Sequence, residues 1–223
     1  MRMPFTWSRR SRRNPEAIEK VNLRGKQIIL REKRIVDAQD DYAWRVDEEL
    51  ARLDATRPLN MSFEDFQRYS REEIDFPSPR SKRFAVDTHD GVHIGNCMFY
   101  DIDLRNGEAE LGIMIGNREY WSKGYGRDAV NTLLDHIFTT TTITRVYLHT
   151  LEWNHRARRS FVQSGFRELK KVRRSGLDFV RMEVVRTEWE RTRDEQQRQM
   201  LAAQAEADDR DTGAAGAADR PAE

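Results

Sequence analysis

The chain has 223 residues, 38% hydrophobic and 35% charged, with a net charge of +1. That is room for one domain of ordinary size with a modest core under a heavily charged surface. A balance this near neutral gives no global attraction to nucleic acid or membrane. No apolar run approaches the roughly 20 residues that span a bilayer, and the arginine-bearing amino terminus lacks the apolar segment of a secretory signal. The single cysteine, Cys97, excludes an internal disulfide and fits a reducing compartment, read as the cytoplasm.

Residues 1–25 show no sustained period and cluster Arg9, Arg10, Arg12 and Arg13. They read as a disordered basic arm, with docking to RNA or to an acidic protein as the alternative. Lys26 to Lys33 reads as a first strand. Asp37 is expected to cap a helix in which Tyr42, Val46, Leu50 and Leu53 fall on one stripe. The other face of that helix carries Asp40, Asp41, Asp47, Glu48 and Glu49, either a solvated face or a cleft wall that attracts cations. Ser62 with Asp65 three residues on starts a second helix from Phe63 to about 73. Turn signals at Asp90-Gly91 and Asn106-Gly107 then divide a meander into Phe84-Ala85-Val86, Val92–Asp103 and Glu108–Ile115.

Along Glu110 to Ile115, Leu111, Ile113 and Ile115 alternate with Glu110, Gly112 and Met114, which gives one apolar face. After Lys123-Gly124-Tyr125-Gly126, helical spacing returns in Ala129, Val130, Leu133, Leu134, Ile137 and Phe138. Thr144–Leu151 reads as a strand, and Asn154–Ser164 as a short helix closed by Gly165. Phe166–Val172 and Leu177–Val185 read as a last hairpin. A charged helix follows from Thr187, then a disordered tail rich in Ala and Asp. The predicted order is a mixed α+β domain over 26–189, with one parallel crossover in a mostly antiparallel sheet. Segment 190–223 is the charged helix and tail, and that helix is a candidate surface for a homodimer.

The glycine loop opens a helix, where backbone N–H groups lack partners and the helix dipole favours an anion, most often a phosphate. Gly124 to Ala129 also fits the G-x-G-x-x-G/A dinucleotide pattern. That pattern should follow its strand at once, yet Asn117–Ser122 intervene, and a meander precedes it where a βαβ series is expected. A nicotinamide-cofactor oxidoreductase is the alternative it leaves.

Strand Glu110–Ile115, then Tyr120-Trp121-Ser122-Lys123-Gly124-Tyr125-Gly126 and an amphipathic helix resemble the acyl-CoA-binding motif of the GNAT N-acetyltransferases, [QR]-x-x-G-x-[GA]. Trp121 stands at the Gln/Arg position, as in the branch that resembles ribosomal-protein and polyamine acetyltransferases. A second block, Asn154 to Ala157 through Phe161 to Gly165-Phe166, is similar to the family's N-x-x-A…[YF]…GF segment. The resemblance covers roughly 23–189. It implies a sheet split between its two central strands, with acetyl-CoA as co-substrate and no metal. The Ile113, Met114 and Ile115 backbone would pair with pantetheine. The N–H groups of Lys123, Gly124, Tyr125, Gly126 and Arg127 would hold the pyrophosphate, and Asn154 the pantetheine arm.

Acetyl transfer to a primary amine needs a neutral nucleophile, and an amine of pKa about 10 is almost wholly protonated at neutral pH, so a base should assist. Glu110 is the candidate at the matching position. If Asn106-Gly107 is a two-residue hairpin turn, Asp103 pairs with Glu110 and Asp101 with Gly112, and two facing carboxylates raise one toward the working range of a base. Phe161 stands where many relatives have a proton-donating tyrosine, which leaves Ser160, Tyr125, a water or unaided thiolate departure. Cys97 is placed on the face of Glu110, where an acyl-cysteine intermediate competes with a small buried hydrophobe. The histidines show no metal-ligand spacing. The reading is an acetyl-CoA-dependent N-acetyltransferase acting on an amine acceptor: a polyamine, an aminoglycoside or a protein N-terminus. A catalytically weak acyl-CoA-binding module is the alternative.

Overall fold

Alternation along the central strands decides which way the sheet faces. The computed structural model describes residues 21–195, 198–199 and 201–202. Its strands are β1 (Asn22–Arg24), β2 (Ile28–Glu32), β3 (Ser81–Thr88), β4 (His93–Asp103), β5 (Glu108–Ile115), β6 (Arg145–Leu151), β7 (Arg167–Arg174) and β8 (Leu177–Val185). They form one eight-stranded sheet in the order β1-β2-β3-β4-β5-β6-β8-β7. β5 and β6 pair in parallel, and the other neighbours are antiparallel. The helices are α1 (Ala38–Val46), α2 (Glu48–Leu53), α3 (Phe63–Asp75), α4 (Tyr125–Thr140) and α5 (His155–Gln163). This is the mixed α+β architecture that the element order predicts.

Ala109, Leu111, Val146 and Leu148 join the α4 stripe Ala129, Val130, Leu133, Leu134, Ile137 and Phe138 in one buried core. Each large side chain buried there contributes roughly 1.5–3 kcal/mol. The alternate positions Tyr100, Glu110, Tyr147 and His149 therefore lie on the opposite face. Trp189, in the helical stretch over 186–195, stacks on Phe138 with ring centroids 5.3 Å apart.

Three boundaries differ from the sequence reading. Asn22–Arg24, assigned to the basic arm, forms β1 and pairs with Ile29 to Arg31. The single first helix is two, because Asp47 is extended (ψ 126) and its carboxylate accepts from the Leu50 N–H to start α2. Asp37 makes no side-chain cap on α1. Its carboxylate is spent on a stronger partner, the buried Arg31. Residues 1–20 of the proposed arm and 203–223 of the proposed tail lie outside the described residues.

Arg31 fixes α1 to the sheet. Its guanidinium donates to both Asp37 oxygens at 2.8 Å and, through Nε, to Asp87 at 2.6 Å, all three side chains being buried. Lys33 extends the cluster to Asp41 at 2.6 Å. Burial pushes the Asp37 carboxyl up, but the Arg31 hydrogen bonds, the Arg34 N–H and the charges of Lys33 and Arg31 outweigh it and hold the group low. Removing one partner leaves buried charge uncompensated, so Asp37→Ala should lose about 3–5 kcal/mol of stability. A depressed folded-state pKa stabilises fully above the unfolded value of about 3.9 and is lost as pH falls through the folded one. The urea-midpoint gap between wild type and Asp37→Ala should therefore be large at about pH 7 and shrink toward about pH 2.

Candidate active site

β5 and β6 touch at one end only. Their parallel register covers Glu108↔Arg145, Ala109↔Val146 and Glu110↔Tyr147, and then stops. β5 continues to Ile115 on the β4 side, with Ile113 opposite Cys97, Met114 opposite Asn96 and Ile115 opposite Gly95. β6 continues to Leu151 on the β8 side. From Leu111 onward, neighbouring strands thus have no ladder between them, and β5 offers unpaired backbone groups to a guest. Gly95 permits the close β4–β5 approach here, since a Cβ would lie 2.2 Å from the Met114 carbonyl oxygen.

The glycine loop closes one end of this split. Gly124 adopts φ 90, a left-handed conformation that glycine accepts without strain, and it precedes the first residue of α4 with no side chain capping the helix. The N–H groups of the first turn are therefore free for an anion. Lys123 and Arg127 are exposed beside them, and Arg127 donates to Gln163 of α5 at 3.1 Å. The Trp121 indole N–H donates to the Ile115 carbonyl at 2.6 Å, which ties the loop to the end of β5. Arg156 stacks on that indole at 3.8 Å, with Arg118 on it at 5.6 Å. Asn154 caps α5 by accepting from the Ala157 N–H at 3.2 Å. Asp128, in the first turn of α4, accepts from the backbone N–H groups of Lys26, Gln27 and Ile28 at 3.1, 2.6 and 3.2 Å. The β1–β2 turn is thereby clamped to the anion-facing end of α4. Gly25 is required in that turn because a Cβ would meet Thr132 Oγ1 at 2.6 Å and Asp128 Oδ2 at 2.7 Å.

The titratable groups gather at the fork. Glu110, the last β5 residue that pairs with β6, is buried, and its Oε1 lies 2.8 Å from His149 Nδ1. Burial first, and then the Glu110 carboxylate, push the Tyr100 phenol well above its ordinary range. Burial, with Glu110 and Asp101 next, pushes Tyr147 up as well, against a downward pull from Arg181. Arg181 stacks 4.0 Å over the Tyr147 ring. Both phenols are neutral at physiological pH and are weaker acids than a thiol of pKa about 8.5.

Asp103 does not face Glu110. An extra residue bulges from β4 between Tyr100 and Asp103, so Tyr100 opposes Glu110 and Asp103 opposes Glu108. Asp101 takes φ 49 at this bulge. The Asp103 carboxylate instead accepts from the Arg105 and Asn106 N–H groups, each at 3.0 Å, and from Asn106 Nδ2. Those bonds hold its pKa low, which makes it a turn cap and not a base. Cys97 also moves: it lies in the α4-side core, away from Glu110, and burial raises its thiol, so the acyl-cysteine route has no nucleophile at the fork. Phe161 is a core ring, packed edge-on to Phe166 at 5.8 Å. Three of the five acids on the face of the first helices meet a cation. Asp40 meets His93, Asp41 meets Lys33, and Asp47 and Glu49 share Arg118.

His149, Tyr100 and Tyr147 are the fork residues that sequence reasoning missed. Tyr147 and His149 stand two apart in a strand otherwise read for its apolar face, and that polar alternation was the available signal. Among the described residues, no group of three His, Cys, Asp or Glu side chains converges as a metal site would, and no helix is long and apolar enough to cross a membrane.

A family model described as an acetyltransferase (GNAT) domain matches residues 27–167. The uncharacterized N-acetyltransferase p20 of Bacillus licheniformis is 43% identical over 53 residues, 24% of this chain and 29% of that protein. The spermidine N(1)-acetyltransferase of Vibrio cholerae is 29% identical over 107 residues, 48% of this chain and 60% of that protein. The chain thus spans less than two thirds of either relative. Among solved structures, spermidine N-acetyltransferase from Vibrio cholerae in complex with CoA and spermine superposes with a TM-score of 0.65 at 22% identity, over 73% of this chain and 98% of that one. An aminoglycoside acetyltransferase in complex with coenzyme A gives 0.63 at 20% identity, over 74% and 99%. At these identities the superpositions establish a shared fold.

The Asp128 clamp has a direct readout. Hydrogen bonds to a charged acceptor contribute about 1.5–3 kcal/mol. Asp128→Ala should therefore speed amide exchange at Lys26, Gln27 and Ile28 by about tenfold or more, and leave Leu30 in the body of β2 unchanged.

Proposed function

The chain belongs to the GNAT acetyltransferase family, and from that premise we propose that it transfers an acetyl group from acetyl-CoA to the primary amine of a cationic acceptor. The observation that carries the proposal is the fork: a strand split with unpaired backbone, an uncapped glycine-headed helix at one end and a buried carboxylate, Glu110, at the other. In this reading Ile113 offers its backbone groups to the pantetheine, the Met114 groups turn the other way toward Asn96 and Gly95 of β4, and the Ile115 carbonyl stays with Trp121 so that only its N–H remains to be used. The N–H groups of Lys123, Gly124, Tyr125, Gly126 and Arg127 receive the pyrophosphate. Asn154, whose side-chain oxygen is committed to the α5 cap, contributes to the pantetheine arm through its amide NH₂. The lone cysteine fits a cytoplasmic protein.

The chemistry follows from the charges at the fork. The acceptor ammonium gives a proton to Glu110, and the freed lone pair attacks the thioester carbonyl. A C–N bond forms, the C–S bond breaks, and the electron pair leaves on sulfur. The amide nitrogen sheds its second proton to the thiolate or to solvent, and Glu110 returns its own proton to water. Thiolate departure needs no tyrosine, since a thiol of pKa about 8.5 is a tolerable leaving group. That agrees with Phe161 being a core ring. Spermidine and spermine, which the Vibrio cholerae protein handles by name, are the first acceptors to try, because Asp101, Glu108 and Glu110 surround Tyr147 with negative charge.

Release of CoA thiol, followed with a panel of polyamines, aminoglycosides and N-terminal peptides, tests the reading. At least one amine should give turnover, and Glu110→Gln should lower kcat at saturating acetyl-CoA by about 10²–10⁴-fold, the usual contribution of a positioned base. Binding of acetyl-CoA without acetylation of any amine would favour the acyl-CoA-binding module in its place.

A further inference from the structure

We propose that His149 is a positioning residue for the acetyl transfer: its Nδ1–H fixes Oε1 of Glu110 and leaves Oε2 as the oxygen that takes the acceptor's proton. The proposal rests on the N-acetyltransferase reading above. Two side chains 2.8 Å apart, 5% and 10% exposed, cannot both present lone pairs to one another. A proton must lie between them. A carboxylate is the acceptor-only partner, so that proton belongs to Nδ1.

The far side of the ring fits this assignment. His149 Nε2 is buried and has no hydrogen-bond partner. With the proton on Nδ1, that atom is a bare acceptor, whereas the other tautomer would bury an unpaired N–H and lose the bond to Glu110 as well. The imidazole thus reads as a fixed donor with one job. Its position is fixed in turn by the β6–β8 ladder, where His149 pairs with Arg181, and by Tyr147, whose ring stands edge-on at 5.8 Å.

Orientation matters at this place because Glu110 is the last residue before the strands part. A carboxylate free to rotate there would point either oxygen at the acceptor, or neither. The charged and titratable groups around it are Tyr100 and Asp101 from β4, Glu108 on its own strand, Tyr147 and His149 from β6, and Arg181 and Glu183 from β8. Glu108 is paired with Arg145 at 3.0 Å, and Glu183 lies 3.6 Å from the same guanidinium. Of these, the Tyr100 phenol and the His149 imidazole are the groups that reach Glu110, and His149 makes the short contact, 2.8 Å from Nδ1 to Oε1.

The test uses two substitutions of opposite expectation. In His149→Asn the side-chain NH₂ stands where Nδ1 stood and still donates, so kcat should stay within a few-fold of wild type. His149→Leu removes the donor, and kcat should fall by about 10²-fold, the scale of a misplaced reacting group, with KM for acetyl-CoA unchanged. A donated hydrogen bond favours the charged carboxylate, so the acidic limb of kcat/KM should move up by about one pH unit in His149→Leu and stay in place in His149→Asn. A merely structural role would lower the rate of both without moving the limb. In wild type, ¹⁵N resonances of the imidazole should report a protonated Nδ1 and a bare Nε2, whether or not an acceptor is in hand. A protonated Nε2 with bare Nδ1, or a Leu variant of full rate and unmoved limb beside an inactive Glu110→Gln, would overturn the proposal. An active Glu110→Gln would sink the base assignment itself.

Discussion

One missing ladder organises the molecule. Parallel neighbours normally stay hydrogen-bonded along their length, but β5 and β6 hold together for three residue pairs, Glu108 to Glu110 against Arg145 to Tyr147, and then part. Backbone N–H and C=O groups left without partners are costly when buried, so the sheet tolerates this opening only if something fills it or water does. β4 and β8 keep the outer sides of the two strands paired alongside the opening, from Glu110 to Ile115 and from Arg145 to Leu151, and the α4 stripe covers the sheet below. The opening is therefore rigid on three sides and unsatisfied on the fourth, which is the physical description of a preformed slot for an extended, amide-bearing guest.

The parts around the slot are held by charge pairs that do little else. Asp128 gives up its carboxylate to three backbone N–H groups and so brings the β1–β2 turn to the head of α4. Arg118 bridges Asp47 and Glu49 while lying against Trp121, and Trp121 in turn holds the Ile115 carbonyl. Arg31 pins Asp37 and Asp87, and with them the start of α1. Asp128 to the β1–β2 turn, Arg118 to Asp47 and Glu49, and Arg31 to Asp87 each join elements far apart in sequence. The net charge of +1 follows from 39 Lys and Arg against 38 Asp and Glu, and a small buried share of them, Arg31, Asp37 and Asp87 among it, ties elements together.

Much of the fold was legible because its signals are local. The strand Glu108–Ile115 and the α4 stripe follow from period two and period 3.6 in adjacent segments, and Ser62 with Asp65 marks the start of α3 as expected. What was not legible depends on strand register. The Asn106-Gly107 turn looked like a two-residue hairpin, but Asp103 caps a longer loop from Leu104 to Gly107, and a bulge at Asp101 then shifts the pairing. Two extra loop residues and one bulged residue add up to a three-residue slip, which exchanges Asp103 for Tyr100 as the partner of Glu110 and, being odd, turns Cys97 to the core face. His149 was hidden for another reason: its contact with Glu110 joins residues 39 apart through the parallel register, which no local pattern encodes.

The most direct test of the slot is the melting temperature of the purified chain with acetyl-CoA, with free CoA and with NAD⁺, each at equal excess. A ligand present at about 100 times its dissociation constant stabilises the folded state by about 2.7 kcal/mol, enough to raise the midpoint by a few degrees. The account predicts a rise with both CoA species, none with NAD⁺, and loss of the rise when Gly124→Val strains the left-handed turn ahead of α4. A rise with NAD⁺ alone, or no rise with either CoA species, would contradict it.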